Sequence, residues 1–204
     1  MLYDWVMESR NQKIVEIARH QVVRPRDLED LGMPRSVLSE LVAEGKLIRS
    51  GRGLYTAADF PVTENHSLVL AAKRYPESVV CLLSAAQFHE ITLELPAGVW
   101  LALPRNARIP HPPDLRLEPV RLSDDVFRFG IETHQLEGTE VRIYSAAKTV
   151  ADCFKFRSRL GISVGVEVLR EAWQKRKATA DELWDAARAC RMLNVMRPYF
   201  DAIL

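Results

Sequence analysis

Six polar side chains, Arg35, Ser36, Ser39, Glu40, Arg49 and Arg52, are of types suited to an interface that reads nucleic acid. Arginine can pair with guanine or with a phosphate, and serine hydroxyls hydrogen-bond to bases or phosphates. At about 100° per residue, Arg35, Ser36, Ser39 and Glu40 share one side of a helix with the small Ala43. Val37, Leu38, Leu41 and Val42 fall on the other side. An apolar stripe for a core and a polar face for base edges are what a recognition helix requires. Arg49 and Arg52 sit beside Gly51 and Gly53, which let a backbone approach DNA closely, as a phosphate or minor-groove contact needs.

The flanking residues supply the elements that position this face. Pro25 stands at a first helical position with Asp27 in the first turn, and Leu28 and Leu31 face inward. Gly32 suits a left-handed helix end, and Pro34 opens the next helix, which runs to Gly45. Lys46 to Arg49 begins a strand, Ser50 to Gly53 makes a hairpin turn, and Leu54-Tyr55 returns. Upstream, 12–19 forms a helix with Ile14, Ile17 and Ala18 inward, against which Trp5 and Val6 pack. The pattern predicts a winged helix-turn-helix. Winged helices also serve as protein-binding modules, and that reading predicts no DNA affinity at moderate salt.

Bulk composition narrows the function class. A chain of 204 residues supports one large or two small domains, and a net charge of +1 confines nucleic-acid affinity to local patches. Cys81, Cys153 and Cys190 are widely spaced among apolar residues, as buried free thiols of a reducing compartment would be. With no signal-peptide pattern and no long apolar run, a cytoplasmic protein is expected.

A polar, proline-containing stretch around Pro61 marks the expected boundary between a 1–60 winged helix and a 61–204 domain. Beyond it, helices are predicted over 65–74 and 84–89, the second capped by Ser84. Strands are predicted at 79–81, 99–103, 117–122, 126–129, 131–136 and 141–144. From Ser145 the pattern turns helical: 145–155, 164–177, 181–190 and 193–203. The expected fold class is α/β (α+β): a winged helix-turn-helix followed by a mixed α/β domain with a helical C-terminal end.

Catalytic and cofactor patterns are sparse. The five histidines stand alone without metal-ligand spacing, no phosphate-binding glycine motif is present, and Ser84 lacks a nucleophile context. No cofactor or metal is expected. A metal-dependent nuclease would draw on Glu132, Glu137, Glu140, Lys148 and Asp152, although Glu137 and Glu140 flank a turn where solvated charge is the ordinary case. From Lys148 to Lys177 eight basic residues face three acidic ones, either a second nucleic-acid surface or the solvated faces of helices. Asp152 lies within an apolar helix, where a carboxylate pairs with a nearby Lys or Arg or accepts backbone N–H groups.

Taken in order, GKLIRSGRGLY, CLLSAAQFHEI, VWLALPRNAR, ETHQLEGTEVRIYSAAKTVADCFKFR and MRPYFDAIL resemble the AbiEi antitoxin family of type IV toxin–antitoxin systems. KTVADCFKFR, residues 148–157, is the most specific piece of that resemblance. It implies a winged helix that binds inverted repeats upstream of its own operon and represses it. It also implies a C-terminal domain that contributes to repression and counteracts a nucleotidyltransferase-like toxin without needing direct contact. Positional carry-over makes Arg35, Ser36, Ser39, Arg49 and Arg52 DNA-contact candidates. Lys148, Asp152, Lys155 and Arg157 become C-terminal candidates without an assigned chemistry.

The function expected from sequence is therefore a non-enzymatic autorepressor and antitoxin, acting as two copies on a palindromic duplex. The alternative is a nuclease-like C-terminal domain targeted by the winged helix.

Overall fold

Apolar residues at helical spacing and short β-branched runs sort the chain into two packed units. The computed structural model describes residues 2–29, 32 and 34–203, with side chains from residue 11 onward. Unit 1 comprises Met1–Pro76 with Gln135–Val141, and unit 2 comprises Glu77–His134 with Arg142–Leu204.

Unit 1 holds α1 (Leu2–His20), α2 (Pro25–Glu29), α3 (Ser36–Ala43), β1 (Leu47–Gly51), β2 (Leu54–Ala57) and α4 (His66–Arg74). Ile14 and Ala18 of α1 meet Leu28 of α2 and Val37, Leu38 and Leu41 of α3 in one buried cluster. Each large aliphatic side chain so buried contributes roughly 1.5–3 kcal/mol. β1 and β2 pair antiparallel with a bulge between Arg49 and Gly51. Val23 exchanges two backbone hydrogen bonds with Tyr55, at 2.8 and 3.0 Å, and so adds a third edge to the hairpin. Gly45 ends α3 at φ +71°, and Gly53 closes the wing turn at φ +70°, conformations that cost other residues strain. This is the expected winged helix-turn-helix. Leu31, expected to face inward, and the Trp5 and Val6 side chains lie outside the described residues.

The unit continues past the composition break at Pro61, through α4, to Pro76. It also takes in the 135–141 hairpin tip, where Glu137 departs from expectation. Instead of a solvated charge, its side chain is 2% exposed. It accepts hydrogen bonds from the Thr63 N–H (2.7 Å) and hydroxyl (2.8 Å) and meets His66 Nδ1 at 2.7 Å.

Unit 2 carries β3 (Val79–Val80), α5 (Leu82–Phe88), β4 (Val99–Pro104), β5 (Leu117–Leu122), α6 (Asp124–Arg128), β6 (Ile131–Leu136) and β7 (Thr139–Tyr144). A helical end follows: α7 (Ala146–Lys155), α8 (Arg157–Leu160), α9 (Ile162–Gln174), α10 (Ala180–Ala189) and α11 (Leu193–Ile203). The sheet order is β5-β4-β3-β7-β6, with β3 antiparallel to β4 but parallel to β7, and β4 parallel to β5. The fold class is thus mixed α/β.

Two expectations are corrected here. Residues 126–129, expected as a strand, fall largely in the helix α6. Ser123 precedes it in extended conformation and Asp124-Asp125 fill its first turn, a helix-start signal that outweighs the brief apolar run. Ser84 does not cap α5 but is buried within it, and its hydroxyl accepts the Trp100 N–H at 3.0 Å. Elsewhere the caps follow the sequence: Ser145 accepts the Lys148 N–H, and Thr179 with Glu182 forms a capping box. Among the described residues no helix is long and apolar enough to cross a membrane.

Candidate nucleic-acid interface

The recognition-helix pattern is laid out as periodicity requires. Val37, Leu38 and Leu41 are buried, whereas Arg35, Ser36, Ser39 and Glu40 are exposed. Arg49 and Arg52 of the wing are exposed as well. All six expected residues therefore lie on the surface of one unit. Arg35 sits at the α3 N-cap, where its guanidinium pairs with Glu29 at the end of α2. That pair is solvent-facing on both sides, the kind that yields readily to a competing anion.

Beside this face the unit forms a recess of about 400 Å³ lined by Arg24, Arg26, Arg35, Arg52 and Arg74. Arg35 and Arg52 were legible as candidates. Arg24, Arg26 and Arg74 were not, because nothing in their spacing marks a shared face. Arg24 donates to the Lys73 carbonyl at 2.9 Å, and its guanidinium also donates to Asp27 at 2.9 and 3.1 Å. Asp27 accepts the Arg24 N–H as well (2.9 Å) and pairs with Lys73 at 3.0 Å. Burial pushes the Asp27 carboxyl upward, but these hydrogen bonds from Arg24 and Lys73 outweigh it and hold it below its ordinary range. Arg74 donates to the Arg52 carbonyl at 3.1 Å. Thus α4 is fastened both to the start of the helix-turn-helix and to the wing.

The six expected residues lie in a stretch that matches a known family. Residues 12–58 match the AbiEi antitoxin family of transcriptional regulators. The matched segment covers α2, α3 and both wing strands. The crystal structure of the RV2827C protein from Mycobacterium tuberculosis shares the fold, with a TM-score of 0.57 at 16% identity. The similarity covers 95% of this chain and 80% of that one. Among curated proteins none matches the chain.

The AbiEi-matched segment does not include 148–157, the piece that carries the resemblance most specifically in sequence. Its four candidates are placed very differently from the winged-helix set. Residues Ala146 to Phe154 of α7 are all buried, so Lys148 and Asp152, one turn apart, meet inside unit 2. Lys148 Nζ reaches both Asp152 oxygens and lies 4.3 Å from the centre of the Tyr144 ring. Cys190 approaches Asp152 Oδ1 at 3.7 Å. Burial raises the Asp152 carboxyl above its ordinary range, with Lys148 opposing. Lys155 donates to the Cys190 carbonyl at 3.1 Å, and Arg157 to the Phe154 carbonyl at 3.1 Å. Both tie helix ends together.

This placement bears on the two alternatives for the basic stretch. Lys148 is withdrawn from the surface, Arg159 pairs with Glu118 over the Trp100 ring, and Lys177 pairs with Glu90. The nuclease carboxylates are not assembled: Asp152 is sealed with Lys148, and Glu137 is held by Thr63 and His66. No group of three or more His, Cys, Asp or Glu able to hold a metal occurs among the described residues. All three cysteines are buried free thiols. Burial pushes the Cys190 thiol up to about 12, which leaves it protonated and unreactive at neutral pH.

Proposed function

We propose that the chain is a transcriptional autorepressor and antitoxin of a type IV toxin–antitoxin system. It binds inverted repeats upstream of its operon and counteracts a nucleotidyltransferase-like toxin. The observation that carries this reading is the outer face of α3, where Arg35, Ser36, Ser39 and Glu40 stand exposed beside an arginine-bearing wing. In the mechanism, α3 enters the major groove and the wing contacts the backbone. Two copies on a palindromic site supply the specificity that one winged helix lacks, and their occupancy blocks polymerase. Lys148 and Asp152 serve by holding the C-terminal domain together rather than by touching nucleic acid or toxin.

Fluorescence anisotropy with the duplex just upstream of the gene, against a scrambled duplex at two salt concentrations, tests the reading. Selective, salt-sensitive binding is expected. Arg35→Ala should weaken operator binding roughly five- to hundredfold and reduce the preference for operator, the effect of one good base contact. Arg52→Ala should weaken both duplexes alike and flatten the salt dependence. Equal affinity of the unaltered protein for operator and scrambled DNA would overturn the repressor assignment.

A further inference from the structure

We infer that Ser50 is a positioning residue of the wing: its hydroxyl, joined to that of Thr56, holds the bulge that aims Arg49 at the DNA backbone. The use on DNA rests on the DNA-binding reading above; the hydroxyl tie rests on the hairpin itself.

The tie sits where the backbone joins the two wing strands least. Arg49 faces Tyr55 and Gly51 faces Leu54, which leaves Ser50 as the extra residue of the bulge. The Tyr55 N–H and carbonyl both engage Val23, on the other side of β2. In an antiparallel ladder a residue turns both groups to the same neighbour, so the Arg49–Tyr55 pair adds no backbone hydrogen bond between β1 and β2. Across this gap the Ser50 and Thr56 hydroxyls meet at 2.8 Å. Thr56 is fully buried, so its hydroxyl depends on a protein partner and is costly to leave without one. The bulge is thereby fastened to the buried side of the hairpin.

A bulge bends its strand, increases the local twist and redirects the side chains beside it. Arg49 directly precedes Ser50, is exposed, and has no partner among the described residues. No contact of its own sets the direction of its guanidinium, so the backbone beneath it does. The far end of the hairpin is fixed separately, by Arg74 donating to the Arg52 carbonyl at 3.1 Å. Ser50 thus acts on the strand that carries Arg49, apart from the turn that carries Arg52.

The test compares the unaltered full chain with Ser50→Thr, Arg49→Ala and the double variant Ser50→Ala with Thr56→Val. The double variant removes both hydroxyls and strands neither, so its melting temperature should stay close to that of the unaltered chain. Hydrogen exchange is followed first, without DNA. Exchange over 49–54 should rise about three- to tenfold in the double variant, the loss of one hydrogen bond, while α1 and α3 keep their rates. Anisotropy is then measured across a salt series with operator and scrambled duplexes. The double variant should lower the slope of log affinity against log salt by about 1 while preserving the ratio between the two duplexes. Arg49→Ala should lower it equally, and combining the two should lower it no further, because Ser50 acts through Arg49. Ser50→Thr keeps a hydroxyl and should match the unaltered chain in both measurements.

Unchanged exchange over 49–54 in the double variant, an unchanged salt slope, or slopes that add on combination with Arg49→Ala overturns the role. If the unaltered chain binds neither duplex, the DNA reading has failed separately and exchange alone decides the tie. A rise confined to 49–54 then upholds Ser50 as the residue that positions the wing, and no rise removes it.

Discussion

Unit 1 and unit 2 use the same kinds of charged residue to opposite ends. In unit 2, Lys148 and Asp152 face each other one helical turn apart with side chains 0% and 1% exposed. In unit 1, Arg35 and Glu29 face each other with side chains 62% and 48% exposed. Between these extremes Asp27 joins Arg24 and Lys73 at a part-buried site, its own side chain 25% exposed. Removing water strengthens an attraction between charges but makes an unpaired charge costly. A buried pair is therefore fixed and structural, whereas an exposed one can exchange its partner for a ligand. Lys148 and Asp152 thus mark the architecture of unit 2, while the exposed arginines of unit 1 remain available as the proposed interface.

The largest effect should come from breaking the buried pair. Lys148→Met strands the Asp152 carboxyl and should cost about 3–5 kcal/mol of unfolding free energy, read by denaturant titration. The double replacement Lys148→Met with Asp152→Leu should recover much of that loss. Comparable instability of the double variant would mean that the pair itself, and not the stranded charge, holds unit 2 together.

At the intermediate site, Asp27→Asn should cost about 1–2 kcal/mol after discounting for partial exposure. The sign with pH follows from its lowered titration. The stability Asp27 contributes is complete above its ordinary value of about 3.9 and is lost as pH falls through the lower folded value. Melting temperatures from about pH 5 to pH 2 should fall more steeply for the unaltered protein than for Asp27→Asn. Parallel curves would remove Asp27 from the acid response.

The smallest effect belongs to the exposed pair. Glu29→Gln should leave the melting temperature unchanged and tighten duplex binding by up to about fivefold, because it releases Arg35 from a competing carboxylate. Weaker binding by this variant would show that Glu29 orients Arg35 for DNA rather than competing with it.

The winged helix was legible because its signals are local. Gly32 and Gly45 adopt the left-handed conformations their positions called for, and the buried and exposed faces of α3 follow its 3.6-residue period. Local signals also placed Ser145 as a cap and the 131–144 hairpin as a pair of strands. They misled where a short apolar run carried two meanings. Val126 and Phe127 suit a strand, but the preceding Ser123-Asp124-Asp125 starts a helix, and packing buries both apolar residues on it. At Ser84 a capping residue type stood at a position whose neighbours made it the acceptor for a facing strand.

From the sequence alone came the class of the N-terminal unit, the polar face of α3, the arginines of its wing and the need of Asp152 for either a basic partner or backbone N–H groups. Each depends on residues a few positions apart, where helix and hairpin geometry dictates which side chains share a face. Only the tertiary structure decided that Lys148 is that partner and is fully enclosed, and that Glu137 is buried against Thr63 and His66. It alone brought Arg74 beside Arg24, Arg26, Arg35 and Arg52. Those juxtapositions link residues up to 74 positions apart, and they arise from how packed elements meet. No local periodicity encodes that meeting.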